Sequence, residues 1–221
     1  MRRLYAQSAF KRLDTTLVVE LGAGSALPSL LSSTLSNPPS LVVVTDHPDE
    51  TIFTNLSRNA RNNAPAVSPR TRLHYLPYIW GDSPRDLLSV PLCVWPRLEL
   101  LSCVRFSSAL VSPSPGYDAM ILSDLLYFDT SHTDLLQSIL SLLARRPSSR
   151  AYVAAGKYTS PTTCNAFLLL VENAGLLFEE GEVDDGWRGS LEVVGLSQEE
   201  LSLRKANVRW WTLRWSASEI P

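Results

Sequence analysis

Apolar residues along this chain come in short runs separated by glycine, proline and polar clusters, and the runs alternate between two patterns. Residues 17–21, 41–45, 117–122 and 151–155 are nearly continuous apolar stretches, as expected of strands buried on both faces. Residues 72–78 predict another strand. Between these runs, 49–63 predicts a helix ending before Pro65, 133–144 spaces its leucines and isoleucine helically, and 161–174 predicts a helix closed by Gly175. Two closing strands follow, 176–182 and 207–215. In the second, Val208, Trp210, Thr212 and Arg214 alternate with Arg209, Trp211, Leu213 and Trp215. Strand and helix in alternation predict an α/β fold with a mostly parallel sheet and helices on both faces. No internal repeat interrupts the pattern.

The first strand ends as Glu20-Leu21-Gly22-Ala23-Gly24, and the second ends at Asp46. A chain leaving a strand for a helix turns sharply, and glycines there let a ligand approach the main chain. Ser25 and Pro28 suit a helix opening, which predicts an anionic ligand group at its start. Asp46 lies about 20 residues beyond the glycines, the usual distance for an acid that holds ribose hydroxyls. The dinucleotide fingerprint needs a third small residue where Leu27 stands, which argues against NAD or FAD. Glu20 would repel a pyrophosphate but accept hydrogen bonds from an ammonium group, so an amino acid joined to adenosine fits better. No phosphate-binding loop with a Gly-Lys-Ser/Thr ending occurs.

Composition narrows the class without changing that picture. The chain has 221 residues, 45% of them hydrophobic, enough for one globular enzyme domain spanning 1–221. A formal charge of −2 gives no electrostatic case for nucleic acid as a partner. Cys93, Cys103 and Cys164 contain no Cys-x-x-Cys pair, so neither a metal site nor a disulfide scaffold is expected. No signal peptide or membrane span is read, and a cytoplasmic monomer is the expectation.

Several motifs occur in order: Glu20-Leu-Gly-Ala-Gly-Ser-Ala-Leu-Pro28, Val44-Thr-Asp46-His-Pro-Asp49, Asn55-Leu56 with Asn59, Tyr78-Ile-Trp80-Gly81-Asp82, and Leu122-Ser-Asp124-Leu-Leu-Tyr127. Together they resemble the class I, seven-β-strand, S-adenosylmethionine-dependent protein N-methyltransferases. The branch is the lysine and nicotinamide N-methyltransferase-like group that includes the fungal enzymes modifying the N-terminal region of translation elongation factor 1-alpha. The resemblance implies a Rossmann-like seven-stranded sheet with a reversed C-terminal hairpin, and S-adenosyl-L-methionine as cofactor. It also implies a protein amine as acceptor, with elongation factor 1-alpha as partner. Carried over, it places Glu20, Gly22, Ala23 and Gly24 at the methionine part, Asp46 at the ribose, and Trp80 beside adenine with Asp82 near its exocyclic amine. Ser123 and Asp124 would face the methyl group, Asp124 orienting the acceptor amine.

Each assignment has a competitor. Trp80 also reads as a core tryptophan, Asp124 as a helix cap before Asp129, Thr130 and Ser131, and Tyr127 and Tyr158 as packing residues rather than an aromatic mouth. His47 and His74 have no matching serine or cysteine arrangement, which leaves hydrolase chemistry unsupported.

Two stretches depart from the family pattern. Residues 1–16 form a shortened N-terminal lid in which Tyr5, Phe10 and Leu13 remain but the family's Trp-Gly element is missing. Residues 83–116 are a long insertion, expected to be poorly ordered and without a role, with a specificity loop as the competing reading. Three functions follow: a protein N-methyltransferase first, then a nicotinamide-type small-molecule N-methyltransferase, or a truncated homologue with poor turnover.

Overall fold

The computed structural model describes residues 16–90, 116–182 and 206–221, with positions 195, 197, 199, 200 and 203 besides. The lid expected over 1–16, apart from Thr16, and the insertion between 91 and 115, with Cys93, Trp95 and Cys103, lie outside the described residues.

Seven strands make one sheet: β1 (Leu17–Leu21), β2 (Leu41–Asp46), β3 (Arg72–Pro77), β4 (Ala119–Ser123), β5 (Arg150–Gly156), β6 (Leu176–Glu180) and β7 (Val208–Trp215), ordered β3-β2-β1-β4-β5-β7-β6. The first five run parallel, and β7 is antiparallel to both β5 and β6. The expected reversed hairpin is therefore present at the β6 edge.

Consecutive residues of the central strands serve opposite faces. Val18, Val42 and Val44 pack with Leu30 of α1 (Leu27–Ser32) and Leu56 of α2 (Glu50–Asn63). Val19, Leu21, Val43, Met120 and Leu122 join Leu135 and Ile139 of α4 (His132–Leu142) and Phe167 and Val171 of α5 (Pro161–Asn173). Burial on both sides explains why these strands read as unbroken apolar runs. β7 alternates as its pattern predicts: Trp211, Leu213 and Trp215 are buried, while Val208 and Arg214 are exposed. Trp215 also donates its indole N–H to the Ala144 carbonyl at 3.0 Å, which satisfies its buried polar atom.

Helix ends follow local chemistry. Asp49 caps α2 by accepting from the Thr51 and Ile52 amides at 2.9 and 3.1 Å, and Ser160 caps α5 through the Thr163 amide at 3.0 Å. The described start of the long connection forms one short helix, α3 (Arg85–Leu88), whose Leu87 is buried and accepts from the Tyr117 hydroxyl at 2.7 Å. Strand order reverses between β1 and β4, and the carboxyl ends of those two strands open a crevice, the usual ligand position in open parallel sheets.

Candidate active site

The turn after β1 is left-handed at Gly22 (φ 56°), Gly24 (φ 54°) and Ala26 (φ 56°). A Cβ on Gly22 would meet Leu125 at 2.7 Å and Trp80 at 3.0 Å, so this position needs glycine for both conformation and space. Gly24 faces open space within 4 Å. The turn is tied down by its neighbours: the Ala23 amide donates to the Thr45 carbonyl at 2.9 Å, and the Gly24 amide to Asp46 Oδ2 at 2.7 Å. Asn59, on α2, donates its side-chain amide to the Ser25 carbonyl.

Glu20 lies beneath this turn, 1% exposed. Its Oε2 accepts from the Ser29 amide at 3.2 Å, whereas Oε1 is buried without a partner. Burial pushes its carboxyl up to about 7; Ser29 opposes this and the charge of Asp46 adds to it. This corrects one expectation. The opening of the six-residue α1 is not a free anion site, because the chain's own carboxylate already reaches its Ser29 amide.

Glu20, Gly22, Ala23, Gly24, Asp46, Trp80, Ser123 and Asp124, far apart in sequence, all line one cavity of about 780 Å³. That volume lies within the roughly 300–1,000 Å³ typical of small-molecule sites. A second hollow that also touches Gly24 is lined by exposed α2 residues such as Glu50, Asn55 and Arg58 and has no buried polar group. Trp80 both packs against the core and lines the cavity, so its two readings are compatible. Asp82 is not in the lining, whereas Asp134 of α4, close to Gly81, is. The loop carrying Trp80 is held by Ser138, which accepts from the Gly81 amide at 2.8 Å.

Part of the wall is aromatic. Tyr127 and Phe128, 48% and 43% exposed, stack with centroids 4.0 Å apart, and Phe128 meets Trp80 edge-on at 5.8 Å. Tyr158, 69% exposed, stands 6.2 Å from Tyr127, just outside the lining. These exposed rings form a mouth rather than core packing. Asp124 caps no helix: its Oδ1 accepts from the Gly156 amide at 3.0 Å and its Oδ2 from the Tyr158 hydroxyl. Phe128 and Asp134 are the residues that sequence reasoning missed. Phe128 had a signal, as a second aromatic directly after Asp-Leu-Leu-Tyr; Asp134 had none, since helical spacing absorbs it.

No protein-family model matches the chain. A protein N-terminal and lysine N-methyltransferase of Schizosaccharomyces pombe is 28% identical over 136 residues, which make up 62% of this chain and 44% of that protein. The protein of the same name from Gibberella zeae is 29% identical over 158 residues, 70% and 53% of the two chains. That from Eremothecium gossypii is 32% identical over 139 residues, 62% and 44%. The chain thus spans about half the length of the curated relatives it matches. Among solved structures, the methyltransferase domain of bacterial CtHen1 superposes with a TM-score of 0.54 at 11% identity, covering 95% of both chains. An O-methyltransferase from neocarzinostatin biosynthesis, solved with S-adenosylmethionine, gives 0.52 at 13% identity, covering 97% of this chain and 53% of that one. The fold is that of the class I methyltransferases.

Proposed function

We propose that this chain is an S-adenosylmethionine-dependent N-methyltransferase acting on a protein amine, a lysine side chain or an N-terminal α-amine, with translation elongation factor 1-alpha as the partner. One observation carries the reading: a single cavity has an unpartnered buried carboxylate oxygen and a glycine turn at one end, and a carboxylate within an aromatic mouth at the other. The similarity to proteins named N-terminal and lysine N-methyltransferases supports it.

The residues present suit the cofactor. Glu20 Oε1 is an acceptor awaiting an ammonium group, and Gly22 and Gly24 let a ligand reach main chain. In this reading Asp46 takes the ribose hydroxyls, Trp80 the face of adenine, and Ser123 with Asp124 the reactive end, and all four line the same cavity. When bound, the cofactor supplies an electrophilic methyl carbon on a sulfonium whose departing thioether is neutral. The protein's work is then positioning. Asp124 orients the amine, which sheds its proton to water before its lone pair attacks, and the rings of Tyr127 and Phe128 favour a cationic group at the mouth.

The same reading makes the protein a cytoplasmic monomer without nucleic-acid or membrane partners. No helix among the described residues is long and apolar enough to cross a membrane. Intact mass spectrometry of elongation factor 1-alpha and of nicotinamide, each incubated with protein and cofactor, tests the proposal. A methyl gain on the protein alone is expected; a gain on nicotinamide alone assigns the small-molecule reading, and no gain on either points to the poorly active homologue.

A further inference from the structure

Asp124 is held unusually firmly for a residue at a site's mouth. Its backbone is left-handed (φ 63°), and its amide donates to the Ala154 carbonyl at 2.7 Å, so the carboxylate cannot drift. Its two oxygens have different partners. Oδ1 is bound by the main-chain amide of Gly156, a fixture of the sheet end, whereas Oδ2 is bound by the phenol of Tyr158, a largely exposed side chain. The Tyr158 ring rests on Gly156, where a Cβ would strike its edge, and its near ring neighbour is Tyr127 at 6.2 Å. A ring so placed swings away at little packing cost.

We propose that Tyr158 is the gate and selectivity residue of the acceptor site: its phenol occupies Asp124 Oδ2 until a cationic amine displaces it. This rests on the methyltransferase reading above and narrows its acceptor class. The phenol's bond to the carboxylate is already charge-assisted, and an alkylammonium adds to such a bond the attraction of a second full charge. An alkylammonium therefore replaces the phenol with net gain. A neutral ring such as nicotinamide offers only amide N–H groups, no stronger than the phenol it would have to expel. The displaced ring stays beside Tyr127 and Phe128, where its face meets the cation. The same bond leaves a mark in the free protein, for donation to Asp124 pushes the Tyr158 hydroxyl up to about 12.

The test uses the full chain saturated with S-adenosylhomocysteine and titrates n-butylammonium as a lysine mimic, by calorimetry. Tyr158→Phe, which keeps the ring and removes the hydroxyl, is expected to bind it about tenfold more tightly than wild type. The gain should vanish when Asp124→Asn is added, and nicotinamide, with no phenol left to expel, should also bind Tyr158→Phe more tightly than wild type. Ultraviolet titration of the ligand-free protein should find the Tyr158 phenol returning towards about 10 in Asp124→Asn. Asparagine tolerates the left-handed backbone, and a melting curve checks folding. Equal or weaker butylammonium binding in Tyr158→Phe, no gain for nicotinamide there, or a phenol unmoved by Asp124→Asn overturns the gate. Failure of wild type to bind S-adenosylhomocysteine overturns the methyltransferase reading, while the phenol titration still judges the gate separately.

Discussion

The two ends of the cavity are built from different materials. At the β1–β2 end the contacts are main chain and buried carboxylate: a left-handed turn, the Gly24 amide on Asp46, and Glu20 sealed beneath. At the β4–β5 end they are exposed side chains, with Tyr127, Phe128 and Tyr158 around an Asp124 anchored from behind. A main-chain cradle has one shape and suits a ligand that never changes. Exposed rings re-pack cheaply, which suits an end that must admit an acceptor and release a product.

The largest effect that would sharpen this contrast is expected from Gly22→Val. The new side chain meets Leu125 and Trp80 at a positive φ, and the combined strain and overpacking should cost roughly 2–5 kcal/mol in urea unfolding, with cofactor binding lost. Gly24→Val lacks those clashes but keeps the strain of a positive φ, so it should cost only about 1–2 kcal/mol and still fold, with binding lost. Equal destabilisation by both would mean the turn does not distinguish the two positions.

Next comes Glu20→Gln. The folded protein holds the Glu20 proton to about pH 7 against an ordinary value near 4.5, so this group's stabilising contribution is full below about 4.5 and is lost as pH rises through 7. Glutamine has no such loss. The variant should match wild type near pH 4.5 and melt higher at pH 8, by up to on the order of 3 kcal/mol, while binding cofactor more weakly. For wild type, cofactor affinity should rise from pH 6 to 8 as Glu20 ionises; a flat profile would remove Glu20 from the ammonium subsite.

Asp46→Ala should weaken cofactor binding roughly 10- to 100-fold by calorimetry, through lost charged hydrogen bonds and a Gly24 amide freed from its anchor. The smallest change is expected at the other end. Gly156→Ala displaces only the movable Tyr158 ring, so melting should shift by less than about 1 kcal/mol while the raised phenol titration disappears. A large loss of stability there would show that the aromatic end is as rigid as the glycine end.

The same contrast explains what was legible beforehand. All seven strands, and the four helices named from spacing or from the turn residues, lie where the apolar periods put them, because alternation and capping are local physics. The glycine turn was equally legible, since positive φ and close approach leave a mark on residue type. The exception there was the helix start: Pro28 suggested an open anion site, and only the folded chain brings the Ser29 amide onto Glu20. Asp82 was expected near the base because it stands two residues from Trp80, yet the aspartate in the lining is Asp134, which arrives from a helix far along the chain.

By itself, then, the sequence determined the α/β class, the strand and helix sites, and the residue types of the glycine turn, all of which depend on neighbours within a few positions along the chain. Only the tertiary structure decided which oxygen of Glu20 is left unpaired, that Asp124 is bound by Gly156 and Tyr158 instead of capping a helix, and that Phe128 and Asp134 join the wall. The Asp124 contacts span 32 and 34 residues, and like the others they depend on sheet order and burial, which no local period encodes.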